Sequence, residues 1–484
     1  MTNVYDRVRY PGNVYAQTHP AGLGAIATLL GRKVAPFGAS RVLEVGCGEG
    51  LNLVNMALSA PQAEFVGVDL AETAIAAARA TAAECGVANC AFHTLDLAAV
   101  DGALGDFDTI VAHGVYAWVP DAVRTALMRV IAERLSPDGL ALVSYNALPG
   151  ARFRHALRDM LVYLTDGVED PNAKLELARG FLADEAEAWS EEDAEERALK
   201  SGAARILRNA PEVLYHDELG PDWGPELVSQ VVARAQPFGL EYLCDAEPKA
   251  SAEAFFPTEA FAALHARADG DWVRFEQLSD FRTLRPFRNS LFARRGATDR
   301  QRVAARLRGL WACSELKIEE GDPDAPKGAL FVTSNGVELR TNSARLVGLL
   351  TRLAEAFPLA VPLSEAPDLE AAAEHLFRLF VTEVIELRAA PYALSPVPGE
   401  RPAASRLARL QAARGETVLP TLRHTMVRFE DARELAAVAL MDGTRTRAEL
   451  AEESSRRSSL PIGEARRRID EGLPGLARLG LMAG

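Results

Sequence analysis

The sequence predicts an α/β fold: a doubly wound parallel sheet, then a helical to mixed segment, then smaller modules of helices with short β pairs. Strand-like apolar runs alternate with alanine-rich helical segments over residues 35–150, which predicts the sheet. A glycine-rich turn, RVLEVGCGEG at Arg41–Gly50, follows the first run. A second run, FVGVDL, ends at the carboxylate of Asp69 and Leu70, as in a nucleotide-binding βαβ unit.

Five strands are expected in this sheet, and segments such as AETAIAAARATAAECG and PDAVRTALMRVIAERLSP are expected to be the helices between them. Ser136–Gly139 (SPDG) is expected to form a turn that leads into the fifth strand. The expected strands lie near Arg41–Val45, Glu64–Asp69, Ala91–Leu95, Phe107–Ala112 and Leu140–Tyr145.

The rest of the chain predicts further domains, in line with a length of 484 residues. Residues 166–210 carry a dense charge run in a helical pattern, which is typical of a solvated helix face. Asn335-Gly336 is expected to turn a hairpin, Pro391–Pro402 to be a linker, and Asp442–Glu453 to lead into a capped helix. The expected domains are a strap or lid over 1–34, a cofactor-binding domain over 35–165, a helical and mixed segment over 166–295, and winged-helix-like modules over 296–390 and 391–484.

Composition and charge argue against several function classes. No apolar stretch approaches the ~20 residues that a membrane span needs, and the N-terminus lacks the apolar core of a signal peptide. We therefore expect a cytoplasmic protein that does not bind membranes. The five cysteines show no metal-ligand spacing, which predicts no metal site. A net charge of −14 repels nucleic acid and attracts basic partners, although simple solubility explains the charge equally well.

The glycine-rich turn predicts a cofactor site. Gly46, Gly48 and Gly50 let the backbone turn sharply and approach a ligand closely, since no Cβ intervenes. Asp69 stands where a carboxylate can accept hydrogen bonds from both ribose hydroxyls. The spacing is GxGxG rather than the dinucleotide GxGxxG, and Glu44 precedes it. A carboxylate there repels a pyrophosphate but favours the ammonium and sulfonium of S-adenosylmethionine, which is the expected cofactor. The alternative is an empty Rossmann-like fold.

Segments after the third and fourth expected strands supply further site candidates. Asp96 is placed to accept a hydrogen bond from the adenine amino group, with the Leu97 amide near the ring; the alternative is a surface carboxylate in a turn. HGVYAWVP follows the fourth strand and brings His113, Tyr116 and Trp118 to the expected site. Tyr116 and Trp118 can hold a cationic or apolar side chain through π contacts, although Trp118 is equally compatible with core packing.

The fifth strand ends in SYNALPG, which offers a hydroxyl and an amide at the expected acceptor mouth. An amine must lose a proton before it attacks a methyl group, and at neutral pH this costs a free lysine about 4–5 kcal/mol. Oxygen acceptors and an apolar wall lower that cost by selecting the neutral amine. We therefore assign Tyr116, Tyr145 and Asn146 to the orientation of the methyl acceptor.

A tyrosine-rich segment before the first strand predicts a lid over the cofactor. YDRVRYPGNVYAQTHP places the candidate contact residues Tyr15, Thr18 and His19 directly before a helix. The alternative is a strap that packs on the sheet, with Thr18 as a helix cap.

These motifs, in this order, resemble bacterial class I methyltransferases that carry a methyltransferase regulatory domain. The resemblance rests on Y…YP…Y..THP, RVLEVGCGEG.N, FVGVDL, HGVYAWVP and SYN..PG. VLYHDELG…GLEYLCDAEP…EQLSDFRTLRPFRNSLFARR resembles the regulatory domain, and RPAASRLARLQA…LRH…DGTRTRAEL resembles the family's C-terminal winged-helix-like module. The family includes the rickettsial protein-lysine methyltransferases that modify outer-membrane protein B, and some of these are dimers.

The resemblance implies N-methylation of lysine side chains in a protein or peptide, with S-adenosylmethionine as methyl donor, and it makes a homodimer a candidate assembly. Leu51 stands where the family has a second glycine, and Ala151 where it has a tryptophan. Because Ala151 lies at the expected acceptor mouth, a small metabolite or modified peptide is an alternative acceptor, and a non-catalytic scaffold is a second alternative. The family motif residues map onto Glu44, Gly46, Gly48, Asp69, Asp96, His113 and Tyr116, and Cys47, Asn52 and Leu70 complete the expected cofactor contacts.

Overall fold

The computed structural model describes residues 8–97, 104–220, 222–319 and 328–483. Its central sheet contains β1 (Arg41–Val45), β2 (Glu64–Asp69), β3 (Cys90–Thr94), β4 (Phe107–Ala112), β5 (Leu135–Asn146), β6 (Leu240–Asp245) and β7 (Phe287–Arg294). The strand order is β3-β2-β1-β4-β5-β7-β6. Strands β1 to β5 pair in parallel, whereas β7 is antiparallel to both of its neighbours. The predicted doubly wound α/β sheet is confirmed.

The fifth strand begins earlier than the sequence predicts. β5 includes Ser136–Gly139, which is expected to be a turn. The ladder between β4 and β5 passes from the pair Phe107 and Leu135 directly to the pair Thr109 and Leu140. The segment Ser136–Gly139 is therefore accommodated as an irregularity within the strand rather than as a turn before it.

The last two strands come from a part of the chain that the sequence predicts to lie outside the sheet domain. β7 pairs along the outer edge of β5, from Leu140 opposite Ala293 to Asn146 opposite Phe287. Residues 139–146 of β5 are buried on both faces, so the strand needs a partner on that edge. The boundary expected at residue 165 therefore does not separate the sheet from the residues after it.

Helices flank the sheet and build a separate helical group beside it. Two helices cover the expected charge run, and Asp170 and Asp193 cap their N-termini, which confirms the helical pattern there. The helices of this half are α1 (Pro20–Leu29), α2 (Leu51–Ser59), α3 (Glu72–Glu84), α4 (Asp121–Arg134), α5 (Arg152–Leu164), α6 (Pro171–Ala188), α7 (Ala194–Leu207), α8 (Pro211–Leu219), α9 (Val228–Ala235), α10 (Ala252–Phe255), α11 (Ala262–Ala268) and α12 (Trp272–Thr283).

A middle module follows, with two small three-stranded sheets and two helices. The hairpin predicted at Asn335-Gly336 is confirmed: its two strands are antiparallel, and Gly336 takes the positive φ of 84° that the turn requires. The module contains β8 (Trp311–Cys313), β9 (Leu316–Glu319), β10 (Ala329–Thr333), β11 (Glu338–Thr341), α13 (Ala344–Ala356), β12 (Val361–Pro362), α14 (Leu369–Val381) and β13 (Glu386–Arg388).

The C-terminal module combines a two-stranded ribbon with four helices. The predicted capped helix is confirmed, because Thr446 and Glu449 form a reciprocal capping box at its start. Its elements are α15 (Arg406–Ala413), β14 (Val418–Pro420), β15 (Met426–Arg428), α16 (Ala432–Leu440), α17 (Arg447–Ser458) and α18 (Ile462–Arg478).

Both later modules share buried cores with the sheet domain. Leu23 and Leu29 of α1 lie in one apolar cluster with Phe377 of the middle module, and Leu407 of α15 packs in the cluster that contains Val42 of β1. The expected linker, residues 391–402, has no helix but is packed rather than free, since Tyr392 and Leu394 in it are buried. Within the described ranges, no helix is long and apolar enough to cross a membrane.

Candidate functional site

The glycine-rich turn lies at the carboxyl end of β1, beside the end of β2. Gly46 and Gly48 have positive φ values of 70° and 51°. A Cβ placed on Gly48 would meet no atom within 4 Å, so the backbone of the turn borders open space. Asp69 accepts hydrogen bonds from the backbone N–H of Gly48 and of Ala71, both at 2.9 Å. The carboxylate therefore fixes the shape of the turn in addition to its expected contact with the ribose.

Glu44 supplies a buried carboxylate beneath this turn. Its Oε1 accepts a hydrogen bond from Asn52 Nδ2 at 2.8 Å, whereas its Oε2 is buried and has no hydrogen-bond partner among the residues that the structure describes. Burial is the main cause that raises the pKa of Glu44 to about 8, while the hydrogen bond from Asn52 acts in the opposite direction. A buried acceptor without a partner is costly. The site therefore fits an ammonium donor such as the amino group of S-adenosylmethionine.

The N-terminal segment brings Tyr15 and Thr18 to this site. The Tyr15 backbone N–H donates to Asn52 Oδ1 at 3.1 Å, and Asn52 Nδ2 donates to Thr18 Oγ1 at 3.1 Å. The Tyr15 ring lies 4.3 Å from the ring of His113, measured between centroids. Burial is the main cause that raises the pKa of Tyr15 to about 12, so its hydroxyl is protonated at neutral pH. These contacts agree with a segment that closes over the cofactor.

His19 differs from the expectation, because its ring points into the packing behind the turn. Its Nδ1 accepts a hydrogen bond from Ala21 N at 3.1 Å, and the residue caps α1 at its N-terminus. The ring packs against Phe37 at 4.5 Å between centroids. The helix cap is thus His19 rather than Thr18, which was the alternative at this position, and a direct cofactor contact by His19 does not fit this geometry.

The remaining residues that the sequence predicts to contact the cofactor differ in their exposure to solvent. The Cys47 thiol is buried and packs in the apolar cluster of Phe65 and Phe92, and burial raises its pKa, so it acts as a core residue. Leu70 is 57% exposed directly after β2, where an apolar surface can cover a ring. Asp96 is exposed after β3, whereas the Leu97 side chain is buried in the core.

His113 lies between Tyr15, on the cofactor side, and Phe287, which lines a cavity beyond the end of β5. It follows β4, and its ring centroid is 4.3 Å from that of Tyr15 and 6.1 Å from that of Phe287. Burial is the main cause that lowers the pKa of His113 to about 4, so the imidazole is neutral at physiological pH. A neutral, half-buried ring can contact a cationic ligand without repelling it.

The hydroxyls of Tyr116 and Tyr145 bond to buried protein groups and do not face the expected site of the methyl acceptor. Tyr116 is fully buried, donates to Glu226 Oε2 at 2.7 Å and accepts from Arg234 Nε at 2.9 Å. Tyr145 is also buried, and its hydroxyl shares a 2.9 Å hydrogen bond with Ser290 Oγ. Successive strand residues point to opposite faces, so Tyr145 and Asn146 lie on opposite faces of the sheet, both buried. Acceptor orientation by the two hydroxyls does not fit this geometry.

Asn146 instead lines a cavity of about 250 Å³ beyond the end of β5. Its Oδ1 accepts a hydrogen bond from Trp223 Nε1 at 3.0 Å, which fixes the amide. Trp118 lies next to this cavity, 6.4 Å from Trp223 between centroids, with the guanidinium of Arg154 5.5 Å from its ring. The lining residues are Asn146, Gly150, Ala151, Arg154, Arg205, Ile206, Asn209, Asp217, Glu218, Pro286 and Phe287.

Sequence reasoning missed most residues of this cavity. Arg154 from α5 pairs with Asp217 at 3.1 Å and Glu218 at 2.7 Å, both from α8. Phe287, which is 38% exposed, begins β7. The strings that carry Asp217, Glu218 and Phe287, VLYHDELG and TLRPFRNS, stand out in the sequence only through the family resemblance. Neither string has a spacing that indicates chemistry, so no local signal could have placed them at the end of β5.

Three family models match the chain in the order that the structure shows. Residues 42–139 match a methyltransferase domain, residues 210–294 a predicted methyltransferase regulatory domain, and residues 400–459 the C-terminal winged helix domain of PKMT. Within the described residues, no group of three or more His, Cys, Asp and Glu side chains could hold a metal ion.

Similar proteins and solved structures match large parts of the chain. An uncharacterised protein of Rickettsia prowazekii is 34% identical over 60% of this chain, and that match spans about half (52%) of the relative's length. A second one is 32% identical over 49% of this chain and 96% of its own length. The structure of PKMT2 from Rickettsia typhi in complex with AdoHcy has a TM-score of 0.86 at 24% identity, covering 98% of this chain and 100% of that chain. At that identity the likeness establishes the fold.

Proposed function

We propose a function from one premise: this chain belongs to the family of class I methyltransferases that carry a methyltransferase regulatory domain and a C-terminal winged-helix domain. It transfers a methyl group from S-adenosylmethionine to lysine side chains of a protein or peptide. The observation that carries the proposal is His113, whose ring contacts the cofactor side through Tyr15 and the cavity side through Phe287. A donor site and an acceptor cavity therefore meet at one residue.

On the donor side, the residues at the ends of β1 and β2 hold the cofactor. When bound, S-adenosylmethionine supplies an electrophilic methyl group on a sulfonium. The unpartnered oxygen of Glu44 accepts from its amino group, and Asp69 accepts from its ribose. The exposed Leu70 would pack against the adenine, and Asp96 would accept from the adenine amino group. The open backbone of Gly48 lets the cofactor lie against the turn.

On the acceptor side, the cavity favours the neutral form of an amine. The carboxylates of Asp217 and Glu218 attract a lysine ammonium to the cavity, and Arg154 between them keeps the local charge close to balance. Phe287 gives the inner wall an apolar character, and the neutral ring of His113 packs against Phe287. A lysine side chain that packs against this wall loses solvation. Its pKa is therefore lowered, and the ammonium releases its proton to solvent more readily. Asn146 then accepts a hydrogen bond from the amine and orients its lone pair.

The function is tested with the full chain, methyl-labelled S-adenosylmethionine and a bacterial lysate separated by size. Label in protein bands, located on lysine by mass spectrometry as a gain of one or more methyl groups, is the expected result. A synthetic peptide from the labelled region and its Lys→Arg copy then verify the acceptor atom. Label on any residue other than lysine contradicts the proposal.

Asn146→Ala tests the acceptor side separately. We expect turnover to fall at least about tenfold because the amine loses its orienting group. Cofactor affinity, measured by titration calorimetry with S-adenosylhomocysteine, should stay within about twofold of the wild type. Asn146→Asp keeps an oxygen that can accept from Trp223 and from the amine but adds a negative charge, and Asn342→Ala, at an exposed asparagine of the middle module, is the matched control. An equal loss of cofactor affinity would move Asn146 to the donor side.

A second candidate function is methylation of a small metabolite or modified peptide. Arg205 favours it, because this exposed guanidinium lines the cavity and forms no salt bridge with the described residues. A carboxylate-bearing acceptor would pair with it. The small side chain of Ala151 leaves room for such a molecule. Label confined to the low-mass fraction of the lysate would select this candidate over the first.

The remaining expectations belong to the same proposal. A protein substrate with a basic or flexible segment suits the net charge of −14, which also disfavours nucleic acid as a partner. We further propose a cytoplasmic enzyme that assembles as a homodimer. Size-exclusion chromatography with light scattering measures the assembly, and a mass equal to one chain contradicts the dimer.

A further inference from the structure

A histidine of the C-terminal module reaches the cofactor side of the sheet domain. His424 lies in the turn between β14 and β15, is buried, and has the left-handed φ of 61°. The turn is held by hydrogen bonds from His424 N to Thr421 O at 3.0 Å and from Thr421 N to Thr425 O at 2.8 Å. A non-glycine residue rarely adopts this φ, and it persists only where the surroundings fix it.

The imidazole joins two asparagines of α2. Its Nε2 is 2.7 Å from Asn52 Oδ1, and its Nδ1 is 2.9 Å from Asn55 Nδ2. An amide oxygen only accepts and an amide nitrogen only donates, so His424 carries its proton on Nε2 and none on Nδ1. Burial is the main cause that lowers the pKa of His424 to about 3, in agreement with a neutral ring.

The same contacts fix the orientation of the Asn52 amide. Its Oδ1 accepts from His424 Nε2 and from Tyr15 N, and its Nδ2 donates to Glu44 Oε1 at 2.8 Å. Rotating the amide by half a turn would place its N–H groups against two other donors and leave both oxygens of Glu44 without a partner. The hydrogen bond from His424 therefore determines which group Asn52 presents to Glu44.

We propose that His424 is a positioning residue for cofactor binding: it orients Asn52, which holds Glu44 so that the free Oε2 meets the cofactor amino group. This inference rests on the proposed function insofar as the ligand is S-adenosylmethionine. It makes the C-terminal module a part of the cofactor site rather than a separate appendage, through a contact that spans 372 positions of the sequence.

Two substitutions separate the hydrogen bond from simple packing. In His424→Gln, the side-chain amide places an N–H donor where Nε2 stands; in His424→Asn, the shorter amide reaches only the position of Nδ1. We expect His424→Asn to weaken binding of S-adenosylhomocysteine about tenfold, from the loss of one buried hydrogen bond and its orienting effect. His424→Gln should stay within about threefold of the wild type. His375→Gln, at an exposed histidine of α14, is the matched control.

The readouts distinguish the possible results. Titration calorimetry with S-adenosylhomocysteine needs no acceptor, so wild-type protein that binds nothing contradicts the proposed function itself. Wild-type binding with equal affinities of the Asn and Gln variants contradicts the inference alone. The KM for the cofactor should rise in His424→Asn while the acceptor KM stays constant. If His424→Asn does not fold, the cycle of Asn52→Ala, His424→Phe and the double variant decides, because Phe keeps the ring volume and lacks the donor: additive effects on affinity overturn the inference.

Discussion

The donor and acceptor halves of the candidate site differ in how the chain builds them. On the donor side, Glu44, Gly48 and Asp69 lie within one βαβ unit, and one buried carboxylate oxygen has no partner among the described residues. On the acceptor side, the cavity takes its walls from the end of β5, from α5, α7 and α8, and from the start of β7. Its main carboxylates are already paired with Arg154. The donor side thus presents one carboxylate oxygen to a specific ligand. The acceptor side is nearly neutral, and substitutions in any of several distant segments can change which acceptor it binds.

The sharpest test of the donor half is Asp69→Ala. It removes the acceptor for the ribose and the two hydrogen bonds that shape the turn, so we expect cofactor binding to weaken by about 2–3 kcal/mol, or roughly 30- to 150-fold. Titration calorimetry with S-adenosylhomocysteine measures the change. Asp69→Asn, which keeps one acceptor oxygen, should have a cofactor affinity between those of the wild type and Asp69→Ala. Affinity within a factor of three of the wild type in Asp69→Ala would mean that the ribose is held elsewhere.

The pH dependence of cofactor binding tests the free oxygen of Glu44. With a pKa of about 8, this carboxyl is mostly protonated at pH 7 without ligand, and a bound ammonium favours the ionised form. Binding therefore releases a proton below pH 8, and affinity should fall about tenfold per pH unit as pH decreases. Calorimetry in two buffers of different ionisation enthalpy counts that proton. Glu44→Gln, which cannot ionise, should bind weakly and lose the pH dependence; proton uptake in the wild type would contradict the assignment.

Tyr116→Phe tests whether the buried hydroxyls belong to the acceptor half. Its hydroxyl bonds Glu226 and Arg234 in the core, so we expect a loss of about 1 kcal/mol in unfolding free energy and turnover within about twofold. Denaturant titration and initial rates measure the two quantities. Tyr145→Phe, which loses the bond to Ser290, is the parallel case. A large fall in turnover without a change in unfolding free energy would mean that the Tyr116 hydroxyl does orient the methyl acceptor.

The contrast between a donor half built from one βαβ unit and an acceptor half built from distant segments also explains which features the sequence could predict. The glycine turn, the strand ends and the hairpin at Asn335-Gly336 are local patterns with fixed spacing, so their physics is visible in short windows. Burial of the Tyr116 hydroxyl depends on Arg234, which lies far along the chain. His424 stands in the sequence only within the LRH string of the family resemblance, and no local pattern indicates its contact with Asn52, which is set by the docking of two modules. Contacts of this kind follow from tertiary packing, which no local periodicity encodes.

The position of β7 between β5 and β6 has a consequence for the order of events during synthesis on the ribosome. β5 is complete at residue 146, but the strand that covers its outer edge ends at residue 294. Until that strand emerges, the nascent chain carries an apolar strand with an open edge, which is a template for pairing with other chains. The helical group made in the interval can shield it. A fragment truncated near residue 165 should therefore aggregate rather than fold as an independent catalytic unit.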